Sequence, residues 1–343
     1  MQAHRTKPPT IKDIARLASV SHSTVSRALR NSSLVDPKTA SRIQQIARDA
    51  GYRASAVARS LVTQETRTVG VVVTTIADPF VAEVVSGIEE VANQRCYSVF
   101  LTESKTDSEL EIKAVHSFAD RWVDGIIVTS SRVGSLHFKL LSETKVPVVL
   151  VNNQHSEASP HSVMIQNVEG SRQAVQHLIR LGHRRIAYIR DRFGYQSDAE
   201  RLTGYRAALR HAGVTFSKEL VVYGDGKAEG GMVAMRTLLG LQDPPTAVFC
   251  YNDMTALGAL RCIHDERLQV PQDISLVGFD DLFIASYTHP RLTTVRQPKR
   301  QLGQLAMETL LKLMSGQDSV DSISVPAELV VRESTAPPRE VSE

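Results

Sequence analysis

The segment TIKDIARLASVSHSTVSRALRN, residues 10–31, carries a run of hydroxyl and basic side chains at helical spacing. Ser23, Ser26, Arg27 and Arg30 recur three and four residues apart, so one helix would present all four on a single face. Short hydroxyls can hold phosphate oxygens, and an arginine can donate two hydrogen bonds to the O6 and N7 atoms of guanine. Such a face is poorly suited to a buried core and well suited to the major groove of duplex DNA.

Three short helices are predicted to position this face. Thr10 can cap the first helix, whose apolar positions repeat at the spacing of a buried stripe: Ile11, Ile14, Ala15 and Ala18. After a turn over residues 19–21, the second helix directs three apolar residues inward: Val25, Ala28 and Leu29. Asp36 and Pro37 begin a third helix that Gly51 ends. The pattern predicts a helix-turn-helix unit; a solvent-exposed polar face on a structural helix is the alternative interpretation.

The positive charge of the chain is concentrated toward its amino-terminal end. Residues 1–65 contain eleven Lys and Arg and four Asp and Glu, a net charge of +7, whereas the remaining residues carry a net charge of −4. A basic segment with helical periodicity indicates a polyanion as partner, because a solvated basic tail would lack the periodicity. Double-stranded DNA is therefore the expected partner of this segment.

The composition is typical of a globular protein with a well-formed core. Of 343 residues, 42% are apolar and 22% are charged, which indicates two or three folded units. No run of eighteen apolar residues occurs, and MQAHRTKPPT lacks the apolar core of a signal peptide, so we expect a cytoplasmic protein without a membrane span. The three cysteines, Cys96, Cys250 and Cys262, have no CxxC spacing and are expected to be buried thiols without metal. Trp122 is expected in the core.

Residues 51–66, GYRASAVARSLVTQET, are predicted to form a hinge segment. Ser55 can cap a helix of barely two turns, with Val57, Ala58 and Leu61 on one side and Arg59 on the other. A helix this short is marginal alone in water, and contacts with DNA and a second copy would stabilise it. Leu61 could then wedge into a minor-groove base step. A plain interdomain linker is the alternative.

From Thr68 onward, apolar runs of strand length alternate with helical stretches, and their order repeats. Four runs, 69–75, 97–103, 124–130 and 147–153, are matched by four more, 185–191, 220–225, 246–253 and 274–281. Two similar parallel-sheet lobes are predicted, and ligands of such sheets bind beyond the carboxyl ends of the strands. The strand-end residues that would line a cleft are Asp78, Phe80, Thr129, Ser130, Asn152, Asn252, Asp253 and Asp280. Each of them could instead cap a helix or shape a turn.

Catalytic motifs are scarce in this sequence. GDGKAEG, residues 224–230, follows a strand but lacks the GK[ST] ending of a P-loop and has one residue too many for GxGxxG. Neither HExxH nor GxSxG occurs, so neither a zinc protease nor a hydrolase nucleophile elbow is indicated. We therefore expect a binding protein, with no catalytic residues and no cofactor.

The whole pattern resembles the Lac repressor family (LacI/GalR) of bacterial transcription regulators, from about Thr10 to about Pro338. The motifs that carry the resemblance are TIKDIARLASVSHSTVSRALRN, GYRASAVARSL, LGHRRIAYI, RLTGYRAAL, NDMTALGAL, ISLVGFDD, LTTVRQP and PAELVVRESTAPP. The resemblance implies a helix-turn-helix head followed by a two-lobed α/β body like that of periplasmic sugar-binding proteins. It also implies three crossings between the lobes, near Asn153, Thr294 and Pro326, and a homodimer on a near-palindromic operator.

The resemblance also implies roles for individual residues. Positions matching His22, Ser23 and Arg27 read bases, Leu61 intercalates, and Arg201 and Asp280 hold the effector with help from Asn252. The full set expected at DNA is Thr10, His22, Ser23, Thr24, Ser26, Arg27, Arg30, Lys38, Thr39, Ser55, Ala58, Arg59 and Leu61. The full set expected at the effector is Asp78, Phe80, Thr129, Ser130, Asn152, Gln166, Arg201, Asn252 and Asp280.

The chain departs from the family pattern at several positions. Ser19 replaces the usual glycine of the helix-helix turn, and Ala54-Ser55 stands where Pro-Asn is common. In the cleft, Asn152 and Gln166 occupy places where acidic residues are frequent, and Gly226 replaces a stacking aromatic found in some relatives. These changes favour a smaller or anionic effector, such as a sugar acid paired with Arg201. The polar end STAPPREVSE supplies no leucine heptad, so a dimer is expected.

The sequence thus predicts a ligand-controlled DNA-binding repressor in three parts. The head comprises residues 1–52, the hinge 53–66 and the body 67–343. The first lobe is predicted to span about 67–153 and 295–325, and the second about 154–294 and 326–338. A sugar-binding transport protein and a cleft enzyme are the rival classes; the first would have no use for residues 1–65, and the second lacks a catalytic constellation.

Overall fold

The computed structural model describes residues 9–52, 65–131, 133, 146–153, 161–317 and 320–339. The chain divides into two compact units, Met1–Thr66 and Arg67–Glu343. We call the described helical part of the first unit the head, and the second unit the body.

The head consists of three helices, α1 (Ile11–Ala18), α2 (His22–Leu29) and α3 (Pro37–Asp49). Each begins with a side-chain cap, because the oxygens of Thr10, Ser21 and Asp36 accept hydrogen bonds from backbone N–H groups of the first turns. The predicted apolar stripes meet in a small core whose fully buried members are Ile14, Val25, Ala28 and Ile43. The caps determine where each helix begins, and the apolar stripes determine which face of each helix packs into the shared core.

Ser19 ends α1 with a left-handed backbone, φ = +53°. This conformation brings the Cβ atom of an L-residue close to the backbone, and glycine adopts it without that cost. Ser19→Gly is therefore expected to stabilise the head by about 1 kcal/mol. Calorimetry on the full chain should place the head transition about 5 °C higher.

Ser19→Ala is the matched control for this substitution. Alanine retains the Cβ atom, so the left-handed backbone remains costly and the transition should not rise. An equal rise in both variants would contradict backbone strain at this turn.

The first lobe of the body is built on a parallel sheet in the order β11-β5-β4-β3-β1-β2. The strands are β1 (Thr68–Val73), β2 (Ser98–Glu103), β3 (Gly125–Thr129), β4 (Val148–Val151), β5 (Ser162–Ile165) and β11 (Ile323–Val325). Its helices are α4 (Pro79–Gln94), α5 (Ser108–Asp120) and α10 (Lys299–Met314). The strands β1, β3 and β4 are almost wholly buried, which their continuous Val and Ile runs predict.

The second lobe repeats this design with the sheet order β12-β10-β9-β8-β6-β7, in which only β12 is antiparallel among the described pairs. The strands are β6 (Ile186–Asp191), β7 (Val221–Gly224), β8 (Ala247–Cys250), β9 (Ser275–Asp280), β10 (Thr293–Arg296) and β12 (Glu328–Val330). Its helices are α6 (Asn167–Arg180), α7 (Gln196–His211), α8 (Ala228–Leu239) and α9 (Asp253–Asp265), with 3₁₀ turns at Lys218–Leu220 and Phe283–Ser286. The body therefore contains two similar sheets, and ligands of Rossmann-like lobes bind beyond the carboxyl ends of such strands.

The structure corrects the first predicted crossing between the lobes. Strand β5 pairs with β4 and β11 in the first sheet, so the chain leaves the first lobe after Ile165 rather than near Asn153. The four-residue run SVMI of β5 is too short to stand out by periodicity, which explains the error. The chain crosses back after β10, which ends at Arg296, and crosses again between β11 and β12.

Two side chains expected in the core lie on the surface. Cys96 is exposed, whereas Cys250 and Cys262 are buried as predicted. Trp122 is 80% exposed. Both residues occupy left-handed turns, φ = +59°, between the end of a helix and the following strand. Strand β3, which follows Trp122, is wholly buried, whereas β2, which follows Cys96, is an exposed edge strand. Proximity to a strand therefore did not predict the burial of either side chain.

Candidate functional site

The exposed face of α2 carries the residues predicted to meet DNA. His22, Ser23, Arg27 and Arg30 are exposed, while Val25 and Ala28 on the opposite face are fully buried. Thr24 and Ser26 are half-buried at the edge of this face. The helix is thus held by its apolar side, and its polar side is accessible.

Hydroxyl groups gather at the amino-terminal end of α2. The Ser21 Oγ atom accepts from the Thr24 N–H at 3.1 Å and lies 2.8 Å from the Ser23 and Thr24 hydroxyl oxygens. Partly unsatisfied N–H groups and hydroxyls at a helix start suit a phosphate oxygen. The sequence singled out the face of α2 but did not predict that Ser21 organises its first turn.

Other predicted DNA contacts flank the face or lie elsewhere. The Thr10 hydroxyl donates to Asp13 at 2.7 Å, and Thr39 donates to Asp36 at 3.3 Å, so both hydroxyls serve helix caps. Lys38 is exposed at the start of α3. Ser55, Ala58, Arg59 and Leu61 lie outside the described residues.

In the body, Asp78 stands at the carboxyl end of the first sheet and caps α4. Its Oδ1 atom accepts from the N–H of Phe80 at 2.9 Å. Burial raises the pKa of the Asp78 carboxyl group, and the hydrogen bond opposes that rise. Phe80 is half-buried against the core of this lobe.

Three further predicted residues lie at the carboxyl ends of strands β3 and β4, at the same edge of the sheet. Thr129 is buried and donates to the carbonyl of Val72 at 3.4 Å. Ser130 and Asn152 both have left-handed backbones, with φ near +50°. Gln166 differs from them, because it is exposed and its side chain does not cap α6.

Arg201, on α7 of the second lobe, is 4% exposed. Its guanidinium carbon lies 3.7 Å from the ring centre of Phe279 and 4.6 Å from that of Tyr251. The guanidinium donates to Asn167 at 3.1 Å and to the carbonyl oxygen of Tyr251, and it lies 3.9 Å from the Asp280 carboxylate. Ring faces and acceptors on several sides fix its orientation.

Asp280 ends β9 and faces this arginine. The amide of Gln297 donates to its Oδ1 atom at 2.6 Å. Burial raises the pKa of Asp280 to about 7; Arg201 and Lys299 oppose the rise, and Asp78 across the lobes increases it. We call Asp78, Arg201, Asp280, Gln297 and Lys299 the interlobe cluster.

Two other strand-end residues have largely structural contacts. Asn252 donates to the carbonyl of Gly226 at 2.9 Å and caps α9 by accepting from Thr255 at 2.8 Å. Asp253 is fully buried and accepts from Thr294 at 2.5 Å and Leu282 at 2.7 Å, so it supports the second lobe from inside rather than lining a cleft.

Two members of the interlobe cluster and three of its neighbours were not predicted from the sequence. Asn167, Tyr251, Phe279, Gln297 and Lys299 contact Arg201 or Asp280 directly. Tyr251 and Phe279 precede predicted strand-end residues, which is a signal that could have found them. The contacts of Gln297 and Lys299 depend on how the chain crosses between the lobes after β10. The pattern of apolar runs that predicts the strands does not predict this crossing geometry.

The elevated pKa of Asp280 predicts a pH dependence of stability. Its folded pKa of about 7 exceeds the usual value of 3.8, so its protonation favours the folded state. That contribution is fully present below pH 3.8 and is lost as the pH rises to about 7. Each pKa unit corresponds to about 1.4 kcal/mol. Asp280→Asn should therefore gain stability relative to the wild type across this window, as measured by thermal unfolding at several pH values.

Asp281→Asn is the control with the opposite sign. Burial tends to raise the pKa of Asp281, but hydrogen bonds from Arg296 at 2.7 Å and Arg332 at 2.6 Å lower it overall. Its contribution is present above the usual value of 3.8 and is lost as the pH falls. Asp281→Asn should be less stable to thermal unfolding than the wild type at neutral pH. If the stability of both variants changed with pH in the same direction relative to the wild type, the opposite pKa shifts of Asp280 and Asp281 would be contradicted.

The described residues contain no feature typical of a metal site or a membrane-spanning helix. No group of three or more His, Cys, Asp or Glu within them could hold a metal ion. No helix among these residues is both long and apolar enough to span a bilayer.

Comparison with known proteins matches both parts of the chain. Residues 10–55 match the profile described as bacterial regulatory proteins, lacI family, and residues 175–335 match a periplasmic binding protein-like domain. The catabolite control protein A of Priestia megaterium is 35% identical over 95% of this chain and 99% of its own length. The repressor CytR of Escherichia coli (strain K12) is 36% identical over 95% of this chain and 96% of its own length.

The chain belongs to the lacI family. Among solved structures, the Lac repressor dimer bound to operator and the anti-inducer ONPF matches this lacI-family chain with a TM-score of 0.89 and 30% identity, over 96% of this chain and all of that one. A complex of the regulator CelR with cellobiose matches with a TM-score of 0.73 and 32% identity, over 95% of this chain and 99% of that one. The protein is a ligand-responsive transcriptional repressor of the lacI family, with a helix-turn-helix head and a periplasmic-binding-protein-like body.

Proposed function

We propose that this lacI-family repressor binds a near-palindromic operator as a homodimer, and that a small polar metabolite between the lobes of the body controls its operator affinity. The observation that carries the proposal is the exposed face of α2, where two arginines and several hydroxyls stand on a helix fixed by a fully buried apolar side. The interlobe cluster supports the proposed metabolite site, because it contains a buried arginine, Arg201, that lies 3.9 Å from the carboxylate of Asp280.

The predicted DNA contacts divide by chemistry. Arg27, with His22 and Ser23, reads base edges, because these side chains are exposed on the groove-facing side of α2. Arg30 and Lys38 contact phosphates, as do the hydroxyls of Thr10, Thr24, Ser26 and Thr39. In the hinge, Ser55, Ala58 and Arg59 approach the minor groove and Leu61 intercalates.

Exposed apolar side chains on the body support the homodimer. Phe283 and Tyr287 are 67% and 82% exposed beside β9, and Phe100 on the edge strand β2 is 51% exposed. Contiguous exposed apolar groups commonly mark protein interfaces, and the rings of Phe283 and Tyr287 lie 6.4 Å apart. The Lac repressor that this chain resembles was solved as a dimer on operator. Sedimentation should give twice the 37.7 kDa of one chain.

The charge of the interlobe cluster indicates the class of effector. Arg201 already contacts Asn167, Tyr251 and Asp280, and Asp78 adds a second carboxyl group. The two carboxyl groups of the cluster balance its two cations, Arg201 and Lys299, so the cluster has no excess positive charge to attract an anion, and its carboxyl oxygens can accept hydrogen bonds from sugar hydroxyls. We therefore propose a neutral sugar or sugar derivative, in place of the sugar acid that the sequence favoured.

A combined binding experiment tests these proposals. Genomic fragments retained by the full-length protein give the operator, and fluorescence anisotropy measures its affinity with and without added ligand. Calorimetry with ribose, cellobiose and gluconate separates the effector classes. Binding of a neutral sugar that changes operator affinity supports the proposal; binding of gluconate alone would restore the acidic effector.

Regulation by binding, without catalysis or cofactor, is the role that we infer for the body. The relatives compared above are bacterial regulators, and a repressor of this kind acts on DNA in the cytoplasm. Turnover of a sugar by the purified protein would contradict this role.

A further inference from the structure

Two consecutive residues at the carboxyl end of β9 have unusual backbones. Asp280 has φ = +120° and Asp281 has φ = +51°. L-residues rarely adopt positive φ, and such a conformation persists only where surrounding contacts hold it. Because Asp280 is the carboxylate that faces Arg201, the direction of its side chain depends on what holds this backbone.

Lys299 supplies such contacts from the start of α10. Its Nζ atom donates to the carbonyl oxygen of Asp280 at 2.7 Å and to that of Asp281 at 2.8 Å. The Lys299 side chain is only 5% exposed, so these hydrogen bonds are shielded from water. One buried ammonium group thus ties together the carbonyls of both residues with positive φ.

The same ammonium group reaches the first lobe. Glu83 on α4 lies 3.5 Å from the Lys299 Nζ atom. Helices α4 and α10 pack so closely that a Cβ atom at Gly87 or Gly303 would collide with the backbone of the facing helix. Lys299 therefore has a fixed position on the first lobe, while the carbonyls that it binds belong to the second.

We propose that Lys299 is a positioning residue for effector binding: it holds the Asp280–Asp281 backbone in the left-handed region and thereby aims the Asp280 carboxyl group at the space between the lobes. The inference rests on the proposed function of the interlobe cluster as the effector site. It adds a link by which contact at Asp280 reaches α10 and α4 of the first lobe.

Other charged and polar groups act on Asp280 from several elements. Arg201 faces it from α7 and Asp78 from the start of α4, Asp253 lies behind it on α9, and Gln297 binds its side chain. Among these five groups, Lys299 donates to both main-chain carbonyls, at 2.7 and 2.8 Å, whereas the backbone N–H of Gln297 donates to the Asp280 carbonyl at the longer distance of 3.5 Å. Substitution of Lys299 should therefore disturb the backbone at residues 280 and 281, whereas substitution of the other groups should mainly change the charge around the Asp280 carboxyl group.

Lys299→Met and Lys299→Arg, each in the full chain, test the inference. Methionine preserves the length and removes the donors, whereas arginine retains charge and donors. Hydrogen-exchange mass spectrometry should show faster exchange in peptides containing residues 280–282 for Lys299→Met, and near wild-type exchange for Lys299→Arg. Because Lys299→Met loses hydrogen bonds from a charged group, it should bind ribose or cellobiose, whichever the wild type binds, about ten- to a hundredfold more weakly.

Arg300→Met is the matched control on the same turn of α10. Arg300 pairs with Glu90 of α4 at 3.8 Å but is largely exposed, so its loss should leave both measurements unchanged. Unchanged exchange at residues 280–282 in Lys299→Met would overturn the inference, as would unchanged sugar affinity. If the wild type binds neither sugar, the proposed function is in question, and the exchange measurement still decides whether Lys299 holds this backbone.

Discussion

Replacing Arg201 with methionine is expected to abolish the response of operator binding to the effector while leaving binding to the free operator intact. The guanidinium is buried between two aromatic rings and donates to Asn167 and to the carbonyl of Tyr251. Its removal leaves Asp280 without its nearest arginine and two acceptors without a donor. A hydrogen bond from a charged group to the effector is typically worth about 1.5–3 kcal/mol. Effector affinity should therefore fall by about a hundredfold.

Arg206→Met provides a matched control on the same helix. Arg206 also stacks on an aromatic ring, at 4.6 Å from the centre of Phe216, but it is exposed and remote from Asp280. Anisotropy of labelled operator, titrated with effector, should separate the two variants, and circular dichroism should verify that both are folded. A full effector response in Arg201→Met would place the effector elsewhere.

Replacing Arg27 with alanine is expected to weaken operator binding by about 1–3 kcal/mol and to relax the preference at one base pair. Arg27 is exposed on α2, one turn after the hydroxyls around Ser21. Removal of a bidentate donor affects the specific complex, whereas non-specific affinity should fall only by one lost charge. Competition between the operator and single-base variants of it measures the change.

Arg48→Ala removes the same charge from another surface of the head. Arg48 is exposed near the end of α3 and donates to Gln45 at 2.6 Å. It should lower affinity for all duplexes alike and leave base preference unchanged. Identical base preferences in the two variants would contradict base reading by Arg27.

Local sequence signals predicted most of the fold. Caps such as Thr10 and Asp36, and apolar stripes such as that of Ile14, act within one or two helical turns. The eight apolar runs all form strands. Six of these strands are largely buried, because burial on both faces requires continuous apolar sequence, whereas the edge strands β2 and β7 are partly exposed. Strand β5 was missed since four residues without alternation do not distinguish strand from loop, and the first crossing was misplaced with it.

The candidate site was predicted less completely than the fold. Strand-end position located Asp280 and Asp78, and the family resemblance located Arg201. The sequence did not predict that Arg201 already contacts acceptors on two sides, or that Asp280 has φ = +120°. These features arise from contacts between residues more than fifteen positions apart, such as Lys299 with Asp280, which depend on the chain crossings rather than on local pattern.

Sequence-specific DNA binding by the head is best tested by measuring how the full-length protein binds a labelled duplex of the selected operator over a range of salt concentrations. We expect tight binding at low ionic strength, a linear fall of log affinity with log salt concentration, and weaker binding to unrelated duplexes. Absence of binding to any duplex at low ionic strength, with and without cell extract as a source of effector, would contradict this expectation.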